Sequence, residues 1–130
     1  MQREKINTLE TYLNSGLTNI LIENVKKEIF EDEIILNYDI PVEELNGHFE
    51  GINFEPPSWY KELIDNNKKI LVINDINKLE YNEQTKFIEI LKYKKISTFL
   101  LPNDLVVIVL VNNLKENKIN EEVYSLLAFV

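Results

Sequence analysis

The sequence has no cysteine and a single histidine, His48. Without cysteine there is no disulfide, no thiolate metal site and no thiol nucleophile. One histidine rules out a multi-histidine metal centre. No apolar run approaches the length of a membrane span, and no signal peptide opens the chain. Basic residues are in deficit: 14 Lys plus Arg stand against 22 Asp plus Glu, a net charge of -8. An acidic chain is poorly suited to non-specific nucleic-acid binding, which needs a basic surface. The expectation is a soluble, cytoplasmic protein with no metal, no nucleic-acid partner and no membrane contact.

Hydrophobic residues make up 45% of the 130 positions, enough for one domain with a real core. The stretch from Lys68 to Asn113 organises the rest. It holds two apolar, β-branched runs that end abruptly in polar pairs, Asn74-Asp75 and Asn112-Asn113. Such runs read as strands buried on both faces. With a helical pattern between them they read as a β-α-β unit of a parallel sheet, whose sites lie at the carboxyl ends of the strands.

Taken in order, residues 2–14 carry Ile6, Leu9 and Leu13 at helical spacing, and Gly16 follows as a stop signal. Residues 19–22 form a first strand and residues 34–40 a second, joined by a short charged linker. Residues 41–51 read as turn-rich, and Pro56-Pro57-Ser58-Trp59 opens a helix that ends near Asn66. Ile70–Asn74 is the third strand. Asn82 is placed to cap a helix whose inner face is Phe87, Ile88, Ile90 and Leu91. Leu105–Val111 is the fourth strand, residues 115–120 a polar loop and residues 121–127 a last helical turn or two. Residues 128–130 begin a fifth strand.

Several of these segments together carry a resemblance. Pro56-Pro57-Ser58-Trp59, Ile70 to Leu79, Lys94-Lys95-Ile96, Leu101-Pro102-Asn103 and Val106 to Asn112 occur in an order and spacing that resembles the AAA+ ATPase core, most of all its MoxR-type branch. The turn Glu43-Glu44-Leu45-Asn46-Gly47 is similar to that branch's Asp-Leu-x-Gly loop. The resemblance covers about residues 18–130, with residues 1–16 as an added N-terminal helix. It implies a single degenerate AAA+ core domain over residues 1–130. The implied fold is α/β, a three-layer-like P-loop NTPase-type fold with a mostly parallel sheet in the order 5-1-4-3-2. A helix is missing after the first strand.

The resemblance also implies a chemistry, against which each position is compared. A Walker A loop needs glycine-rich backbone around the phosphates, a lysine, and a Ser or Thr on magnesium. Here Glu23-Asn24-Val25-Lys26-Lys27 follows the first strand, with no glycine, serine or threonine. Asn74 stands at the magnesium-associated Asp of Walker B, and Asp75 at the catalytic Glu. Asn112 matches the sensor-1 Asn. Ala128 stands at the arginine-finger position, and no lid or sensor-2 arginine follows. An arginine finger alone contributes roughly 10³–10⁵ in rate. The expectation is therefore a non-catalytic module for protein interaction or assembly, self-associating or docking on a partner such as a MoxR-like ATPase. The alternative is a weak or composite ATPase completed by a partner subunit, with ATP and magnesium as cofactors only in that case.

The missing helix leaves one sheet face without its usual cover. Ile6, Leu9 and Leu13 of the N-terminal helix, or a partner chain, are the candidates to supply it. Alternatively, the short linker lets the first two strands pair as an antiparallel hairpin. Other residues have plainer readings. Asp75 reads as a helix cap or surface acid as readily as a residual metal ligand, and Asn112 as a side chain that bonds nearby backbone. Trp59 reads as a packing anchor that also suits an interface. Lys92, Lys94 and Lys95 read as a solvated helix end, His48 as exposed, and Glu31-Asp32-Glu33 as a solvated turn.

Overall fold

The computed structural model describes residues 18–113 and 118–129. The expected helix over residues 2–14, with Ile6, Leu9 and Leu13, lies outside them, as does part of the expected loop at 115–120. Five parallel strands form the main sheet: β1 (Asn19–Glu23), β2 (Ile34–Asn37), β5 (Ile70–Asn74), β8 (Val106–Val111) and β9 (Ala128–Phe129). They lie in the order β2-β5-β8-β1-β9, all parallel. Counting only these five, that is the order 5-1-4-3-2. β1 and β2 do not pair as a hairpin, because β5 and β8 stand between them.

Alternation along the strands divides the core in two. One face gathers Leu21, Leu36, Leu71, Ile73, Val107 and Val109. Onto it pack Trp59 and Leu63 of helix α2 (Ser58–Asp65), Ile90 and Leu91 of helix α3 (Ile88–Tyr93), and Val123 of helix α4 (Glu121–Tyr124). The other face carries Ile20, Ile22, Val72, Ile108 and Leu110, with Val25 and Phe30 from the β1–β2 connection packed on it. Chain direction explains the division. The β1–β2 crossover runs toward the β2 edge, and each later crossover runs back. Right-handed crossovers travelling in opposite directions lie on opposite faces. Among the described residues, only the β1–β2 connection therefore crosses the second face. Among the described residues it contributes one 3-10 turn, Lys27–Phe30, where a full helix would form a layer.

Several boundaries differ from the expected ones. β2 ends at Asn37 and not Ile40: the Tyr38 N–H still donates to the Asn74 carbonyl, but the Ile40 N–H turns back to Asn37. The turn-rich segment contains helix α1 (Val42–Asn46), entered through Pro41 with Glu43 and Glu44 in its first turn, where acids suit the helix dipole. It continues into a small antiparallel hairpin of β3 (His48–Glu50) and β4 (Asn53–Glu55). Asn82 makes no side-chain cap. The segment starts as a 3-10 helix, Glu83–Phe87, before α3. A second small hairpin, β6 (Lys95–Ile96) with β7 (Phe99–Leu100), follows α3. The 118–120 end of the expected polar loop is partly internal, since Ile119 and Asn120 are buried.

Candidate functional site

The carboxyl ends of the central strands bring the expected site residues together. β5 ends at Asn74, and Asp75 then takes a left-handed backbone conformation (φ 60°) that directs the chain off the sheet. Asn24 and Asn113, just past β1 and β8, turn in the same way at φ 60° and 55°. Asn and Asp tolerate this region better than most side chains. The turns are tied to neighbouring strands: the Asp75 N–H donates to the Leu110 carbonyl and the Asn24 N–H to the Val111 carbonyl, both at 2.8 Å.

Asp75 is neither a surface acid nor a side-chain helix cap. Its side chain is 13% exposed, and both carboxylate oxygens are engaged. Oδ1 accepts from Asn112 Nδ2 at 2.9 Å. Oδ2 accepts from Lys78 Nζ at 3.2 Å and from Asn74 Nδ2 at 3.4 Å. Asn74 also donates to Asn37 Oδ1 at 3.1 Å, which extends the amide network to the edge strand. Asn112 therefore reaches a carboxylate and not adjacent backbone. Its own carbonyl accepts from the buried Asn77 at 2.7 Å. Lys78 and Asn77 were not expected here, although Lys78 sits three residues after Asp75, the spacing of one helical turn.

Beyond β1, the segment without glycine, serine or threonine runs directly into the crossover. Asn24 is bound to the end of β8 through its N–H, and its Oδ1 accepts from the Asn113 N–H at 3.4 Å. Lys26 then enters the Lys27–Phe30 turn in an extended conformation, and Val25 and Phe30 point into the core. These contacts anchor the start of the crossover to the end of β8. Among the described residues no group of three or more His, Asp or Glu side chains is arranged to hold a metal ion.

The remaining candidates lie elsewhere. Ala128 is in β9, opposite Ile20 near the start of β1. Trp59 is buried at 7% exposure, and its indole N–H donates to the Leu45 carbonyl at 3.0 Å, as a packing anchor requires. His48 is exposed on β3, with Nε2 3.3 Å from Glu50 Oε1. Glu31 and Asp32 are exposed in a turn.

The lysine cluster departs from the expected solvated helix end. Lys94 is left-handed at φ 52° and turns its side chain inward. Its Nζ donates to Asn19 Oδ1 at 2.9 Å and to the Leu105 carbonyl at 3.3 Å. Burial lowers its pKa from 10.5 to about 8. Lys92 and Lys95 instead lie over the Tyr93 ring.

No protein-family model matches the chain, and no curated protein matches it. No helix among the described residues is long and apolar enough to cross a membrane.

Proposed function

We propose that this chain is a non-catalytic protein-interaction or assembly module, built on a P-loop NTPase-type core of the AAA+ kind and related to the MoxR-like branch. In this reading it works in the cytoplasm without nucleotide. The observation that carries the proposal is the Asp75 carboxylate, held by Asn112, Asn74 and Lys78. In an ATPase these positions face magnesium and the attacking water. Here they satisfy one another. Asn74 supplies an amide where a metal site uses a charged carboxylate, and the segment after β1 has no cradle to bring phosphates to them. Hydrolysis depends on positioning and charge stabilisation, and neither is supplied.

Titration calorimetry with ATP and magnesium is expected to give no saturable heat. A well-defined binding isotherm at micromolar affinity would sink the reading. The 2.9 Å approach of Asp75 and Asn112 at the ends of adjacent strands favours a second reading, a composite ATPase completed by a partner subunit. That reading requires phosphate release that Asp75→Ala abolishes and a surface substitution such as Glu121→Ala leaves intact.

A further inference from the structure

Among the described residues, the main sheet ends on one side at β2. The Tyr38 N–H donates to the Asn74 carbonyl, which fixes the alternation along this strand. In a parallel ladder the backbone groups of alternate residues face the same neighbour. Ile34, Leu36 and Tyr38 therefore face β5, and Ile35 and Asn37 face away from it. The Asn37 carbonyl is taken by the Ile40 N–H. Among the described residues, the N–H and carbonyl of Ile35 are left at the bare edge. Proteins usually cover or interrupt such an edge, because it templates pairing with another chain.

Alongside this edge runs a groove of about 600 Å³, lined by β2, Ile40 and Trp59. With its indole N–H already bound to the Leu45 carbonyl, Trp59 offers the groove an apolar ring. Its margins are acidic: Glu33 before β2, Glu43 and Glu44 on α1, and Glu62 on α2. None of these carboxylates forms an ion pair among the described residues.

We propose that the free edge of β2 and this groove bind an extended, lysine- or arginine-bearing segment of a partner protein by strand addition. Main-chain bonds to Ile35 would provide the pairing, and the apolar floor with its glutamate margin the selectivity. The charge argues against a second copy of this chain as occupant, because a symmetric pairing would oppose glutamates to glutamates in a chain of net charge -8. The proposal rests on the interaction-module reading and names the partner chemistry for it.

The probe is a fluorescein-labelled peptide of alternating valine and lysine, followed by anisotropy. The expected result is saturable binding that a valine–glutamate peptide does not reproduce. N-methylation of alternate peptide nitrogens should abolish it, since this removes backbone donors without changing charge. Glu43→Lys with Glu44→Lys should weaken it about tenfold. Ile35→Pro should weaken it comparably while keeping the β5 ladder, because the lost N–H faces outward. No binding overturns the proposal, and so does equal binding of the N-methylated peptide, which marks charge adsorption alone. A peptide-free dimer dispersed by Ile35→Pro overturns it in favour of a second copy. Failure here without ATP binding leaves the interaction-module reading standing, whereas ATP binding removes that reading whatever the peptide does.

Discussion

Asp75 combines a left-handed backbone with a carboxylate that is almost shielded from water. A carboxylate so little exposed relies on its partners, and removing a donor costs more than the bond itself because a charge is left under-solvated. Asn112→Ala should therefore destabilise the fold by about 1–3 kcal/mol in urea unfolding. In a double-mutant cycle with Asp75→Ala the two effects should be clearly non-additive; simple additivity would show that the contact contributes little. Lys94 gives a pH prediction. Its folded pKa, about 8, lies below the ordinary 10.5 because burial disfavours the charged form. At pH values below about 8 the lysine is protonated folded and unfolded, and the cost of burying the charge is fully present. Between about 8 and 10.5 the unfolded chain holds the proton that the folded one has released, so this group's contribution to stability rises with pH. The stability of the wild type relative to Lys94→Met should improve across that window in urea unfolding at matched ionic strength. A constant difference would contradict the assignment.

Among the elements, the passage from α1 into β3 depends on one residue. Gly47 sits at φ 104°, and a Cβ there would lie 2.4 Å from the Glu55 carbonyl of the paired strand. Strain and collision add, so Gly47→Ala should cost about 2–4 kcal/mol in thermal or urea unfolding. Gly51 is a control within the same hairpin: φ is 63° but no atom lies within 4 Å of an added Cβ, so Gly51→Ala should cost only about 1 kcal/mol. Equal costs would show that the close approach to Glu55 is unimportant. The elements most legible in the sequence were those with strong local signals. The β-branched runs of β5 and β8 and the proline-led α2 formed within a residue or two of expectation. Short elements were less legible. The 3-10 start before α3 and the two small hairpins depend on packing more than on periodicity. One such contact is the near-parallel stacking of Phe54 on Phe99, 5.8 Å apart, which links the two hairpins.

At the scale of the whole molecule, the sheet is built asymmetrically. Among the described residues, three helix-bearing returns pack on one face, and a single short crossover spans the other. Phe30 is 7% exposed and, with Val25, is what that crossover adds to the second cluster. Phe30→Ala should therefore destabilise the entire sheet by about 3–5 kcal/mol, read as a cooperative shift of the urea midpoint. Loss of signal from β1 and β2 alone, with the rest intact, would show that the crossover is a local appendage.

The sequence by itself determined β5 and β8, their parallel β-α-β relation and which residues stand at their carboxyl ends. Those features follow from local periodicity and from runs of β-branched side chains. It also determined that no glycine lies between β1 and β2. Only the tertiary structure decided what Asn74, Asp75 and Asn112 do. Each is a short polar side chain whose role depends on neighbours up to 37 positions away in the chain. The same holds for Lys94, which looked like part of an exposed basic run until its turn directed it inward. It holds too for the edge at β2, since strand order, and not strand composition, determines which strand is left without a neighbour among the described residues.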